Sequence, residues 1–249
     1  MQEYNTSPVI SAIVFDLGGV LMDWDPRHLY RKLFGGDEAA MEEFLATVCT
    51  AEWIRQQDMG LPVADAVAQL ARRFPDHAPL IKAYDKRWQE ILAGPIEDSV
   101  SVLADLRQRC VPLYGLTNLP GEKRRALMER LNFLDWFEAV VVSGAVGVAK
   151  PDLEIYIHLL KTYHLVPEST LFVDDVAANV EGAKALGLAA GPGHELFATN
   201  SELLGSAVFS VNESTGMPTR LMKLKEEKGL PPTITETIII ISDDLVHDN

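Results

Sequence analysis

Four small groups of polar residues hold the chemistry available to this sequence. Asp16 stands directly after the apolar run Ile13-Val14-Phe15 and before Leu17-Gly18-Gly19-Val20-Leu21. Thr117-Asn118 follow Val111–Leu116, Lys150-Pro151 stand just before a helical stretch, and Asp174-Asp175 follow Leu171-Phe172-Val173. A carboxylate such as Asp16 can be a nucleophile, a metal ligand or both. With Asp174 and Asp175 it offers oxygen ligands of the kind Mg²⁺ takes. Lys150 brings the positive charge that lets a phosphate and a carboxylate share a site. Thr117 brings a hydroxyl, and the backbone N–H groups after Asp16, those of Leu17 and Gly18, can cradle phosphate oxygens. Attack of Asp16 on phosphorus would then divide a hydrolysis into two easier steps. Each group also has a plainer reading: Asp16 as a turn cap, Thr117-Asn118 as turn chemistry, Lys150 as a solvated loop lysine, Asp174-Asp175 as a helix N-cap. Coincidence accounts poorly for all four in this order.

What must position them is a set of strands. Val9–Phe15 is apolar and rich in β-branched residues, and the glycine pair after it marks an abrupt exit. From residue 94 onward short strands alternate with helices: helix 96–109, strand 111–116, helix 121–131, strand 139–142, helix 152–164, strand 170–173 and helix 176–186. That alternation predicts an α/β fold, a Rossmann-like parallel sheet sandwich with crossover helices. A parallel sheet delivers its strand ends to one edge, so residues about 160 positions apart meet in one crevice. Between residues 26 and 93 the period is helical, without a convincing strand. Met41, Phe44, Leu45 and Val48 form one stripe, Val63, Val67, Leu70, Ala71 and Phe74 a second, and Leu80, Ile81, Tyr84, Trp88, Ile91 and Leu92 a third. The expected organisation is therefore a core made of residues 8–25 and 94–211, a helical insertion over 26–93 after the first strand, and an extension over 212–249 of unknown role. Within the tail, 207–211 reads as a strand, 220–228 as a short charged helix, and 234–241 as strongly β-prone.

Composition narrows the function. The 249 residues are 47% hydrophobic, enough for a sizeable core, and carry a formal charge of −14 with no basic cluster. Nucleic acid and anionic membrane surfaces are therefore poor partners, and an anionic substrate must be held by local donors. Cys49 and Cys110 have no metal-ligand spacing and suit a reducing compartment. No signal-like start and no run near the roughly 18 apolar residues of a spanning helix is present, so a cytoplasmic protein is expected.

Taken in order, Phe15-Asp16-Leu17-Gly18-Gly19-Val20-Leu21, Gly115-Leu116-Thr117-Asn118, Gly147-Val148-Ala149-Lys150-Pro151-Asp152 and Phe172-Val173-Asp174-Asp175 with Asn179 and Gly182-Ala183 resemble the haloacid dehalogenase superfamily of hydrolases over residues 10 to about 190. The resemblance is to its small-molecule phosphatase branch, which includes sugar-phosphate phosphatases. It implies that Asp16 is the nucleophile and that Lys150 shares the catalytic work. Leu17, Gly18, Thr117, Asn118 and Lys150 bind the phosphoryl group of a small phosphorylated metabolite. Asp16, the Gly18 carbonyl and Asp175 ligate Mg²⁺, with Asp174 beside them or acting through water, and residues 26–93 form the cap that selects substrate. One departure stands out. Phosphatases of the family usually carry aspartate where this chain has Gly18, and glycine cannot transfer a proton. Asp23 and Asp25 are the nearest replacements by sequence, with a hinge role as the plainer reading. In the cap, Trp53, Arg55, Gln56 and Gln57 are candidates to face the crevice. Two other functions compete: a metal-independent 2-haloacid dehalogenase, which also lacks the second aspartate, and a catalytically weak phosphate-binding or regulatory protein of the same fold.

Overall fold

A computed structural model of the chain describes residues 10–189 and the backbone of 208–212 and 217–222. Strand β1 (Ala12–Phe15) has four buried residues in a row because it lies in the sheet interior, with parallel neighbours on both sides. After a tight turn come strand β2 (Met22–Trp24) and five helices: α1 (Arg27–Leu33), α2 (Glu38–Thr47), α3 (Ala51–Asp58), α4 (Val63–Arg73) and α5 (Ala78–Lys86). Strand β3 (Leu92–Pro95) then returns the chain, antiparallel to β2. The alternating half follows as α6 (Glu97–Gln108), β4 (Leu113–Thr117), α7 (Arg124–Met128), β5 (Ala139–Val142), α8 (Ser143–Val146), α9 (Leu153–Thr162), β6 (Thr170–Val173) and α10 (Ala177–Lys184).

The main sheet is parallel throughout, in the order β5-β4-β1-β6. Both of its faces are covered, as a parallel sheet requires. Val14, Leu116, Val141 and Phe172 share one apolar cluster with Ile155, Tyr156 and Leu159 of α9. Their strand neighbours Ile13, Phe15, Leu113, Leu171 and Val173 join the other cluster, with Val102, Leu103 and Leu106 of α6. The period of two along each strand produces that division. The three helical stripes are buried as their spacing predicts, down to Met41, Ile81 and Ile91 at 0% exposure, and they merge into the second cluster.

The helical stretch contains more than periodicity disclosed. Thr50 caps α3 by accepting from the Trp53 N–H, and Asp37 caps α2 through the Ala40 N–H. The three-residue β2 and the four-residue β3, at the exit from and return to the core, were not expected. Such short strands owe their form to each other rather than to local propensity. Further along, the expected helix 121–131 is reduced to a 3₁₀ turn at Gly121–Lys123 followed by α7. In the tail, β7 (Val208–Asn212) and β8 (Met217–Met222) form a separate antiparallel pair. The boundary at 211/212 therefore cuts through a hairpin, and the helix expected from residue 220 begins as strand through Met222. The β-prone 234–241 run lies outside the described residues.

Candidate active site

Strand register brings the predicted residues together. Phe15 is level with Val173 on one side and Gly115 on the other, so Asp16, Asp174 and Thr117 leave the sheet at one edge. The Asp16 N–H donates to the Val173 carbonyl at 2.8 Å, which continues the ladder one step past β1. Beyond it the chain turns sharply: the N–H groups of Leu21 and Met22 both donate to the Leu17 carbonyl. Gly19, at φ +76°, makes that turn possible, and a Cβ there would sit 2.1 Å from Asp175 Oδ2. Its lack of a side chain is what lets Asp175 approach the loop. Gly18 is different, with no positive φ and only an ordinary 3.7 Å contact between its hypothetical Cβ and Trp24 Cβ.

Lys150 sits at the centre, 1% exposed, with Nζ 2.9 Å from Asp16 Oδ1 and 2.6 Å from Asp174 Oδ2. Its backbone is held as firmly as its ammonium. Asn118 accepts from the Lys150 N–H at 2.9 Å and donates to the Lys150 carbonyl at 3.0 Å, and Arg55 of α3 donates to the same carbonyl. Asn118 was expected among the substrate-binding residues. It lines both the chamber and the wider crevice, and both ends of its side-chain amide bond the Lys150 backbone, so it also positions the lysine. Thr117 is the last residue of β4, buried, and lines the chamber in front of Asp16.

The two adjacent aspartates have separate environments. Asp174 accepts from Val176 N–H and Asn179 Nδ2, both at 2.9 Å on Oδ1, and from Lys150 and again Asn179 on Oδ2. Asn179 is itself held, its carbonyl accepting from the Tyr156 hydroxyl at 2.8 Å. A carboxylate so fully bonded orients its neighbours. Asp175 is less enclosed and lines both the chamber and the wider crevice. One oxygen each from Asp16, Asp174 and Asp175 fall within 4.8 Å of one another.

The electrostatics of this cluster bear directly on a metal. Three carboxylates facing one ammonium leave two negative charges in excess when all are ionised. Burial pushes Asp16 up to about 8, opposed by Lys150 and reinforced by Asp174 and Asp175. Burial and the Asp174 charge raise Asp175 to about 6. Burial also opposes the charge on Lys150, but Asp16 and Asp174 outweigh it and hold its pKa above the ordinary lysine value. An all-oxygen donor set short of positive charge fits a hard dication, whose binding would return both acids to the ionised form.

Two connected spaces open on these residues. A chamber of about 290 Å³ includes Asp16, Gly18, Thr117 and Lys150 in its lining. A wider crevice of about 1180 Å³ runs past Asp23, Asp25, Glu42 and Arg55. Asp23 and Asp25 thus border the wider space, and both are occupied: Asp23 Oδ1 lies 2.8 Å from His28 Nε2, and Asp25 Oδ1 accepts from the Arg27 N–H at 2.8 Å. The acid that does line the chamber is Asp58, at the end of α3 and 9% exposed. Burial raises it to about 7 against the opposing charges of Arg55 and Lys150. The sequence did carry a signal for it, since an aspartate in the last turn of a helix opposes the helix dipole. Of the four cap candidates only Arg55 reaches across, pairing also with Asp152 at 2.7 Å. Trp53 packs edge-on against Tyr84, Gln57 is buried within the cap, and Gln56 is exposed.

This arrangement has close counterparts. Residues 10–187 match the family model of the haloacid dehalogenase-like hydrolases. The sesquiterpene phosphatase astK of Aspergillus oryzae is 30% identical over 71% of this chain and 86% of its own length. A phosphorylated carbohydrates phosphatase of Thermotoga maritima is 25% identical over 72% of this chain and 82% of its own. In fold, a HAD family enzyme of Bacteroides thetaiotaomicron, solved with magnesium and inorganic phosphate, superimposes with a TM-score of 0.57 at 24% identity, over 72% of this chain and 91% of that one. Among the described residues no helix is long and apolar enough to cross a membrane. The chain belongs to the haloacid dehalogenase-like hydrolases, among the phosphatases of that family.

Proposed function

We propose that this protein is a Mg²⁺-dependent phosphomonoesterase acting on a small phosphorylated metabolite through an aspartyl-phosphate, in the cytoplasm. One observation supports this above the others: the two oxygens of Asp16 are differentiated. Oδ1 accepts from the Leu17 N–H at 2.6 Å and faces Lys150, while Oδ2 has no hydrogen bond among the described residues. Oδ2 is the nucleophile. It attacks phosphorus, the ester oxygen leaves as the alcohol, and water then cleaves the acyl phosphate. Lys150 and the Gly18 N–H hold the equatorial oxygens, with the Thr117 hydroxyl beside them, while the Leu17 and Gly19 N–H groups donate to Asp16 Oδ1 and the Met22 carbonyl. Asp16, Asp175 and the Gly18 carbonyl would hold Mg²⁺, which supplies charge neutralisation at the phosphoryl group, and Asp174 keeps the set in place.

The proton that Gly18 cannot give comes from Asp58. It lines the chamber from the cap together with Asp16, Thr117 and Lys150, and titrates in the range useful for an acid and a base. The dehalogenase reading fits less well, because the excess of carboxylate charge would repel a substrate carboxylate without a metal. The relatives' printed substrates are phosphorylated compounds as different as sesquiterpenes and carbohydrates, so the reading takes from them the bond cleaved and not the alcohol. Asp16→Asn should lower Mg²⁺-dependent hydrolysis of p-nitrophenyl phosphate at least a thousandfold while circular dichroism stays unchanged. Activity within tenfold of wild type would remove the covalent mechanism.

A further inference from the structure

The rest of the chamber's lining says what kind of alcohol is released. Alongside the phosphoryl-binding residues its walls include Met22, Trp24, Trp88, Leu92, Leu119 and Leu127. Five of these are buried, from Met22 at 1% to Leu119 and Leu127 at 5% exposure, so the walls are fixed by the packing behind them. Leu119 and Leu127 come from the core, and Met22, Trp24, Trp88 and Leu92 from the strands and turn that lead into and out of the helical insertion.

No cation other than Lys150 lines this chamber among the described residues. Lys123 lies over the Trp88 ring at 5.7 Å but is paired with Asp85 at 2.6 Å and is not part of the lining. A second phosphate or a carboxylate on the substrate would therefore meet no positive partner, and it would face Asp58. A sugar fares little better, since its hydroxyls would lose water against these walls, and of the amide side chains in the lining Asn118 is committed to the Lys150 backbone and Asn179 to Asp174. The charged and hydrogen-bonding side chains Asp23, Asp25, Arg27, Glu42 and Arg55 line the wider crevice, of which Asp16 and Thr117 are not part.

Resting on the phosphatase reading, we infer that the preferred substrates are phosphate monoesters of apolar alcohols, with the carbons next to the ester oxygen seated against Trp24, Trp88, Leu92 and Leu127. The chamber's 290 Å³ matches roughly ten water-sized groups, of which a phosphoryl group takes about half, so about five carbons are enclosed. Longer chains continue past Trp24, which borders both spaces, into the wider crevice.

The test has a binding arm and a turnover arm. Alkylphosphonates, whose P–C bond is not hydrolysed, are titrated calorimetrically against the Mg²⁺-loaded protein from methyl to octyl. Affinity should rise roughly fourfold per methylene, about 250-fold from methyl to pentyl, and then level off. In turnover, kcat/KM for the matching alkyl phosphates should follow the same slope, with glucose 6-phosphate at or below methyl phosphate. Leu127→Gln should reduce pentylphosphonate affinity more than methylphosphonate affinity; should that variant not fold, the wild-type slope alone decides. A flat phosphonate series, or tighter binding and faster turnover of the sugar phosphate, would overturn the inference while leaving the phosphatase reading intact. A steep phosphonate series with no hydrolysis of any ester, p-nitrophenyl phosphate included, would uphold the apolar chamber and sink the phosphatase reading instead.

Discussion

Replacing Asp58 by asparagine separates proton donation from every other part of the site. The side chain keeps its size and loses its proton, and two consequences can be worked out. The first is catalytic. A positioned acid contributes roughly 10²–10⁴ when the leaving oxygen is strongly basic, and little when it leaves readily as an anion. Asp58→Asn should therefore slow an alkyl phosphate by about that factor and change p-nitrophenyl phosphate by less than tenfold. The second consequence concerns stability. Burial holds the Asp58 carboxyl at about 7 in the folded protein against 3.8 for an unperturbed one. Between those values the folded state binds more protons than the unfolded state, so stability falls as pH rises through that window and is level above it. Three pKa units correspond to about 4 kcal/mol at most. The asparagine variant lacks this term, so its melting temperature should come closest to wild type below pH 3.8 and exceed it by most near pH 8. The assays are steady-state kinetics on the two esters and thermal melts across pH. An unchanged alkyl-to-aryl ratio would remove Asp58 as the acid. A melting difference independent of pH would mean that its carboxyl is ionised in the folded protein well below pH 7.

Three further substitutions probe the loop and the metal set. Asp175→Asn should weaken Mg²⁺ binding at least tenfold by calorimetry and lower activity in parallel, since an amide is a poorer ligand for a hard dication; chelator-resistant activity would contradict it. Gly19→Ala should cost more than about 1 kcal/mol in urea melts and disable catalysis, because a Cβ at φ +76° falls on the Asp175 carboxylate. Gly18→Asp meets no such obstacle, its Cβ having only a 3.7 Å neighbour, and should raise alkyl-phosphate turnover while leaving aryl turnover nearly unchanged. If alkyl turnover instead falls in a folded variant, Gly18 is required for itself rather than as the absence of an acid.

Much of this protein can be read along the chain because the information is local. Continuous apolar runs mark Ala12–Phe15 and Thr170–Val173 as strands buried on both faces, and parallel pairing then sends whatever follows them to one edge. That Asp16, Asp174 and Asp175 share one edge was legible for that reason, and the three helical stripes from their spacing. What the linear order could not contain is the partner of each polar atom. Asn118 and Lys150 are 32 positions apart, and only the fold shows the Asn118 amide clamping the lysine backbone. The unequal roles of Gly18 and Gly19, adjacent and identical in type, depend on Asp175 arriving from β6. Asp58 resembles any other acid on a charged helix until the insertion folds back and buries it over the sheet edge. Helix and strand periods follow from backbone geometry within a few residues, whereas hydrogen-bond pairing, desolvation and the shape of a chamber arise only where distant segments meet.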